Sequence, residues 1–289
     1  GGNTGTFGAG ATGVCDGVDA GGWLATPETD LGNAEVFELF LPVMYMSRTL
    51  EPYSVGYGRY RSGLSLPTME LVHRMTTGMG SGAIGCAHDR ILPNIGLFGG
   101  YPGGKRNTFM IRYHNFQDMI EKRIPLVHRI GDPREFRNQE HAEVFYFDHM
   151  PPAVEVQEND MLIVDNGSAG GLGDPIEREP SLQKADLDNG LTNQDISRNV
   201  YCVAADYDEQ SREWRIDEGE TRKLRDAKRQ ERLSRAVPVR EWWLQSRQRV
   251  ENKEIHALLA EMYASSMKMS PNFTREFKEF WGLGEDFGF

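Results

Sequence analysis

The sequence Asp165-Asn-Gly-Ser-Ala-Gly-Gly-Leu-Gly-Asp-Pro-Ile-Glu-Arg178, which we call the decisive stretch, follows the apolar run 161–164. That run predicts a buried strand. The glycines then allow backbone conformations that other residues rarely adopt, and Pro175 fixes the exit from the turn. Two interpretations are open. The stretch is either a strand-to-helix connection with an internal ion pair, or a functional loop in which Asp174, Glu177 and Arg178 act chemically.

Two further regions, residues 1–32 and 77–107, are also rich in glycine. The first has acids but no Lys or Arg, and we expect it to become ordered only by packing on a larger body. A P-loop is not predicted there, because the Gly-x-x-x-x-Gly-Lys-Ser/Thr pattern is missing. In the second region, Gly103, Gly104 and Lys105 predict either an anion-binding nest or a wide solvent loop with exposed cations.

Apolar and alternating runs predict the remaining elements. The predicted strands are 36–45, 57–66, 68–72, 108–113, 143–148, 154–156, 161–164 and 199–205. The predicted helices are 116–120, 181–189, 191–199, 239–267 and one that starts at Pro271, while the charged stretch 218–236 predicts either a solvated helix or a linker. The fold class is therefore mixed α/β (α+β), with a strand-rich body, glycine-rich loops and a C-terminal helical arm.

Arg59 and Arg61 alternate with Tyr60 and so share one face of a predicted strand. Such a pair suits bidentate binding of a carboxylate or phosphate anion. It equally suits an ion pair with Glu38, which lies in the apolar run 36–45 and needs a partner if it is buried. Both interpretations are kept.

Composition excludes several classes of function. With 289 residues and a net charge of −11, the chain lacks the basic surface that nucleic acid requires. No run of eighteen apolar residues predicts a membrane span, and the first residues do not resemble a signal peptide. The three scattered cysteines favour a reducing compartment, hence the cytoplasm, and no spacing of His, Cys or acids predicts a metal site.

Three motifs in order resemble the hydantoinase B/oxoprolinase family. They are Gly170-Gly171-x-Gly173-Asp174-Pro175-x-Glu177-Arg178 with the later Tyr201-Cys202-Val203, Gly58-Arg59-Tyr60-Arg61-Ser62-Gly63-Leu64, and Asn33 to Glu38 with Pro42. The opening Gly1-Gly2-Asn3-Thr4-Gly5 is similar to the glycine-rich approach to this last segment. The resemblance covers residues 1–210, as the C-terminal portion of the family domain, and leaves 211–289 as a charged linker and helical arm. The nearest branch is that of acetone- and acetophenone-type ketone carboxylases.

The resemblance implies a hetero-oligomeric enzyme with an ATP-binding, hydantoinase A-like subunit, and a small third subunit is a further candidate partner. In the ketone-carboxylase branch, phosphorylated bicarbonate and an enol phosphate lead to a β-keto acid. The alternatives are ATP-dependent opening of hydantoins or oxoproline, and a non-catalytic scaffold subunit. ATP and a divalent metal, manganese in acetone carboxylases, belong to the assembled complex. The family holds that metal in its N-terminal half, so no ligand is carried over to this chain.

Candidate site residues follow from the motifs. Asp174, Glu177 and Arg178 are the predicted catalytic groups, because paired carboxylates beside a cation can move protons. The predicted anion-binding residues are Gly103, Gly104, Lys105, Arg59 and Arg61. No metal ligand is predicted.

Overall fold

The computed structural model describes residues 6–23, 26–27, 32–75, 79–81, 94–104, 107–127, 140–146 and 154–289. The described strands are β1 (Gly22–Trp23), β2 (Thr26–Pro27), β3 (Val43–Arg48), β4 (Thr68–Val72), β5 (Met79–Ser81), β6 (Asn107–Tyr113), β7 (Ala142–Tyr146), β8 (Val154–Val156), β9 (Asp160–Asp165), β10 (Ala204–Asp208) and β11 (Glu213–Asp217). The described helices are α1 (Ala34–Phe40), α2 (Phe116–Glu121), α3 (Pro180–Asp188), α4 (Gln194–Asn199), α5 (Glu218–Arg235), α6 (Val239–Glu251), α7 (Ala257–Met269) and α8 (Pro271–Trp281).

A five-stranded sheet of order β3-β4-β9-β6-β7 forms the centre of the first compact unit, residues Gly1–Asp226. Every neighbouring pair in it is antiparallel. Strands β4 and β9 are buried along their whole length. Their sequences are accordingly almost continuously apolar, as the run before the decisive stretch predicts. The predicted mixed α/β class with a strand-rich body is confirmed.

The sheet packs a hydrophobic core on each face. On one face, side chains of β4, β6 and β9 meet Met119 of α2. On the other face, Val72, Met110, Leu162 and Val164 pack with Val156 of β8. This alternation along each strand follows from the period of two in an extended chain. The decisive stretch leaves the sheet at the end of β9, where both faces are already covered.

Four predicted elements differ from the structure. The strand predicted at 199–205 begins later, because α4 extends to Asn199 and β10 starts only at Ala204. Residues 36–45 were expected to form a strand interrupted at Pro42, but Asn33 caps a helix at 34–40 and the strand begins only at Val43. Residues 57–66 form isolated bridges rather than a strand. The helix predicted at 239–267 is two helices, because Lys253 has a left-handed backbone (φ 60°) and His256 caps a new start. Side-chain caps at helix starts compete with local propensity in this way.

Residues Ala227–Phe289 form a second compact unit. Its helices α7 and α8 enclose an aromatic cluster of Tyr263, Phe273 and Phe277, with ring centroids 4.9–6.4 Å apart. Ser270 caps α8, and Gly282 ends it in the left-handed conformation. The predicted C-terminal helical arm is therefore a small helical unit with its own aromatic core. The division predicted at residue 210 concerned the family-like body and stays a prediction.

Across the residues described, the structure contains no helix that combines the length and the apolar character needed to cross a bilayer.

Candidate functional site

Four glycine-rich segments pack main chain against main chain beside the sheet, and we call them the glycine layer. They are residues 6–21, 54–66, 94–104 and 166–174. Tyr60 and Leu172 exchange both main-chain hydrogen bonds at 3.0 Å, and Leu97 accepts from Gly173 at 2.9 Å. The decisive stretch therefore lies between the segments 54–66 and 94–104 and forms main-chain hydrogen bonds with both.

Close backbone approach explains why these segments contain glycine. A Cβ on Gly171 would lie 2.3 Å from the carbonyl oxygen of Tyr57, and one on Gly63 would lie 1.9 Å from that of Val18. A Cβ on Gly100 would lie 2.1 Å from the carbonyl oxygen of Gly171. Real carbon and oxygen atoms do not approach so closely, so the layer excludes every other residue at these positions.

A network of ion pairs holds the glycine layer to helix α3, and we call it the arginine network. Arg178 donates from its two terminal nitrogens to both oxygens of Asp16 at 2.7 Å, and also to Asp186 at 2.7 Å. Arg61 donates to the other side of Asp186 at 3.0–3.1 Å and to Asp19 at 2.8 Å. Asp186 of α3 therefore bridges two arginines from different motifs.

The two arginines and Asp186 of the arginine network are buried, whereas Asp16 and Asp19 are partly exposed. Arg178 is fully buried (0% exposed), and its guanidinium lies 5.5 Å over the ring of Tyr201. Burial lowers the pKa of Arg178 and of Arg61, but the hydrogen bonds and negative charges of the neighbouring groups together raise it by more, so both stay cationic. Burial also raises the pKa of the Tyr201 hydroxyl. A closed network of this kind fixes the positions of the segments that supply its members.

The predicted catalytic residues are placed around the end of the decisive stretch. Asp174 caps the 3-10 turn Pro175–Glu177 by accepting from the nitrogen of Ile176 at 3.1 Å, and Glu177 is exposed. Arg178 points into the arginine network behind this turn. The structure therefore gives Arg178 a positioning contact, and the catalytic role of the three residues stays a prediction.

The predicted anion-binding residues are separated by the fold. The nitrogens of Gly103 and Gly104 donate to Asn94 O at 2.8 Å and to Ser168 Oγ at 2.7 Å, within the glycine layer. Arg59 is exposed, with its guanidinium 5.5 Å over the ring of Tyr60. Lys105 lies outside the described residues. An anion role for this set stays a prediction, and Arg59 is its solvent-facing member.

The interpretation that pairs Arg61 with Glu38 is wrong. Arg61 has Asp19 and Asp186 as its partners, whereas Glu38 accepts from the backbone nitrogen of Tyr45 at 2.7 Å. The acids that bind Arg61 lie 42 and 125 positions away. The two predicted arginines do not share a role, because residues 57–66 are not a regular strand.

Glu70 is a buried acid that the sequence reasoning missed. It lies in β4 opposite Tyr45 of β3, only 5% exposed. Burial raises the pKa of Glu70 to about 7, while Thr68, Tyr45 and Arg48 lower it by less. Burial and the neighbouring Glu70 raise the pKa of Tyr45 to about 12. The available signal was a single carboxylate inside the apolar run 69–72. A carboxyl group with a pKa near neutrality is a candidate proton carrier.

We expect Glu70 to make stability depend on pH. Its pKa is 4.5 in the unfolded chain and about 7 in the folded one, so protonated Glu70 stabilises the fold fully below pH 4.5 and this contribution is lost as the pH rises through 7. Glu70→Gln should therefore gain stability relative to the parent protein between pH 4.5 and 7.5, by up to about 3 kcal/mol. Urea titrations at several pH values measure it. Glu143→Gln, at an exposed acid of β7, is the control and should follow the parent curve.

Ser168 offers a test of the glycine layer. It is buried and its Oγ accepts from the nitrogen of Gly104 at 2.7 Å. Ser168→Ala leaves that N–H without an acceptor and should lower the free energy of unfolding by about 1–3 kcal/mol. Ser47→Ala, which removes a surface hydroxyl contact with Thr49, should change it by less than about 0.5 kcal/mol. Equal values for the two variants in chemical denaturation would contradict the assignment.

The architecture and motifs define a member of a known class. The family model of hydantoinase B/oxoprolinase matches residues 2–175, so the chain belongs to that family. The match ends at Pro175, inside the decisive stretch, and the resemblance drawn from the motifs is confirmed.

Particular relatives are named as enzyme subunits. The chain is 28% identical to the acetone carboxylase alpha subunit of Xanthobacter autotrophicus over 96% of its length, and 25% identical to the acetophenone carboxylase delta subunit of Aromatoleum aromaticum over 84%. It is 29% identical to the caprolactamase subunit beta of Pseudomonas jessenii over 69% of its length. A solved nucleotide-free acetone carboxylase has the same fold, with a TM-score of 0.78 and 25% identity over 96% of this chain.

The chain spans about a third of the length of these relatives: 36% of the acetone carboxylase alpha subunit, 35% of the acetophenone carboxylase delta subunit and 30% of the caprolactamase subunit. It likewise covers 36% of the matched chain in the solved acetone carboxylase.

Proposed function

We propose that this chain forms part of a subunit of an ATP-dependent ketone carboxylase, which joins bicarbonate to a ketone and gives a β-keto acid. The observation that carries the proposal is the similarity to the acetone carboxylase alpha subunit along 96% of the chain. The similarity to an acetophenone carboxylase subunit supports the same substrate class, because acetone and acetophenone both carry a methyl group beside the carbonyl. That methyl group supplies the carbon that becomes carboxylated.

A second candidate function is ATP-dependent hydrolysis of a cyclic amide. It is supported by the 29% identity to the caprolactamase subunit beta, which covers a smaller share of this chain than the carboxylase similarity does. A third is a scaffold subunit without chemistry of its own, in which the aromatic helical unit binds other subunits. The aromatic core around Phe277 supports a stable unit of that kind.

We propose that the working enzyme is a hetero-oligomer with an ATP-binding, hydantoinase A-like subunit, and a small third subunit is a further proposed member. The relatives are named as alpha, delta and beta subunits, which supports an assembly of unlike chains. We place it in the cytoplasm. Cys15 is an exposed cysteine that the structure describes as a thiol rather than a disulfide, as a reducing compartment would keep it.

ATP and a divalent metal, with manganese as the first candidate, are proposed to be held elsewhere in the assembled complex. Within the part of the chain that the structure describes, no three side chains of His, Cys, Asp or Glu come together as a metal site. These residues therefore do not fit a metal centre, and we assign no ligand and derive no step through one. The described residues instead fix the position of a turn: the arginine network holds Arg178, which directly follows the 3-10 turn that carries Asp174 and Glu177.

The test is a substrate comparison on the complex purified from the cells that produce this protein. ATP hydrolysis and incorporation of labelled bicarbonate would be measured with acetone, acetophenone, caprolactam and hydantoin. Ketone-stimulated hydrolysis with label in a β-keto acid is the expected result. Stimulation by a cyclic amide without label would favour amide hydrolysis. A stable complex that responds to none of the four would favour the scaffold.

A further inference from the structure

Helix α1 and the neighbouring strand β3 leave an apolar surface open, which we call the α1–β3 face. None of the seven residues of α1 is buried, and Leu39 and Phe40 are 81% and 80% exposed. Met44 of β3 is exposed beside them. A short helix in a folded protein is stabilised mainly by burying its apolar side. Here that side is exposed, so the described residues supply little of the packing that usually stabilises such a helix.

The α1–β3 face is concave. An open pocket of about 820 Å³ lies against it. Apolar residues 39–44 line the pocket, together with four polar residues, Glu35, Glu38, His73 and Arg74. An apolar hollow bordered by charged groups is the usual form of a surface that binds another polypeptide.

The position of β3 at the edge of the described sheet also indicates a surface that is open to a binding partner. In the sheet that the structure describes, β3 is an edge strand that pairs only with β4. Its register shifts between Tyr45 and Ser47, and the Glu38 carboxylate accepts from the nitrogen of Tyr45 at 2.7 Å. The bulge and this carboxylate interrupt the edge, so a further strand cannot simply continue the sheet. A binding segment must instead use side chains that fill the pocket.

The family motif builds this face. Asn33 Oδ1 accepts from Glu35 N at 2.9 Å and starts α1, and Glu38 ties the helix to β3. The carbonyl oxygen of Pro42 accepts from His73 N at 2.9 Å, which fixes the end of the pocket. Asn33, Glu38 and Pro42 of the family motif therefore stabilise the backbone that forms the α1–β3 face.

We propose that the α1–β3 face binds an apolar segment of the polypeptide that corresponds to the part of the acetone carboxylase alpha subunit outside the region matched here. A chain of the solved acetone carboxylase has the same fold over 96% of this chain, and this chain covers only 36% of the alpha subunit's sequence. The relative therefore has nearly twice as much further polypeptide in the same subunit, which needs a surface to pack on. The inference rests on the family and the fold, and holds whether the reaction is carboxylation or amide hydrolysis.

The occupant has a definite chemistry. Large apolar side chains enter between Phe40 and Met44, and a cationic group suits the exposed Glu35 at the start of α1. The segment belongs either to the same polypeptide or to a separate subunit. In both cases the crosslinking experiment identifies it by the sequence of the peptide joined to the probe.

A photocrosslinker at the face identifies what covers it. Phe40→p-benzoylphenylalanine would be introduced into the protein in the cells that produce it, the cells irradiated, and the joined peptides sequenced. We expect a peptide that aligns with the unmatched part of the alpha subunit, at least tenfold more abundant than from the same probe at the exposed Phe280 of α8. A peptide from a second copy of α1, from an unrelated protein, or no adduct would overturn the proposal.

A second variant separates binding from folding. Leu39→Glu places a charge on a side chain that is 81% exposed within residues 1–289, so the sheet of this part should still fold, and hydrogen exchange of the buried β9 amides should stay close to that of the parent protein. When it is combined with the Phe40 probe, the adduct should fall at least tenfold. An adduct of unchanged yield would overturn the proposal, since the segment would then not occupy the pocket.

Discussion

Arg178→Met is expected to lower the free energy of unfolding of residues 1–226 by about 3–5 kcal/mol. Arg178 is fully buried and is the bidentate partner of Asp16 and a partner of Asp186. Methionine fills much of the space but leaves Asp16 and Asp186 facing each other with one arginine, Arg61, instead of two. Removing one member of a buried charge network costs far more than removing an exposed ion pair, because the remaining charges are poorly solvated.

The measurement should follow the first unit by itself, because two compact units need not unfold together. Hydrogen exchange of β9 amides, which are buried at the centre of the sheet, reports its global opening. Arg59→Met is the matched control, two residues from Arg61 but exposed over Tyr60, and should cost less than about 1 kcal/mol. If Arg178→Met were as mild as the control but abolished activity of the complex, the residue would act in chemistry rather than in positioning.

The sequence predicted elements whose cause is local. Strands β4, β6 and β9 follow from apolar or alternating runs. Helix α3 starts with Pro180, at a position where a backbone N–H would have no acceptor within the helix. The strand predicted at 36–45 was wrong before Pro42, because Val36 and Phe37 favour extended structure only on average, and it was confirmed after Pro42, where β3 begins at Val43. The cap at Asn33 and the stop before Pro42 decided the outcome there.

The candidate site was less predictable because its members are distant in sequence. The decisive stretch and the Arg59–Arg61 motif were recognised separately, yet the residue that joins them is Asp186, 125 positions from Arg61. Asp16 lies 162 positions from Arg178, in a glycine-rich segment that was expected to become ordered only by packing on a larger body. A single sequence carries no signal for such pairs, since charge spacing reports only neighbours along a helix or strand. Glu70 was missed because burial, which raises its pKa, depends on the strands at both sides.

Gly171→Ala is expected to lower the free energy of unfolding of the first unit by at least about 3 kcal/mol. The added Cβ would meet three backbone atoms, the carbonyl oxygen and carbon of Tyr57 at 2.3 and 2.5 Å and the carbonyl oxygen of Gly56 at 2.6 Å. A flexible side chain could rotate to relieve such a contact, but backbone atoms cannot. The segments 54–66 and 166–174 must therefore separate. That movement also breaks the bonds between Tyr60 and Leu172.

Gly13→Ala is the matched control for this clash. It makes the same chemical change in the glycine layer, but its Cβ would have nothing within 4 Å. By restricting the unfolded chain it should leave stability unchanged or raise it by up to about 1 kcal/mol. Denaturation curves of the two variants, followed by exchange at β9, give the comparison. If Gly171→Ala behaved like Gly13→Ala, the segments would not be packed backbone to backbone. The decisive stretch would then be an ordinary loop, and the arginine network alone would hold it against α3.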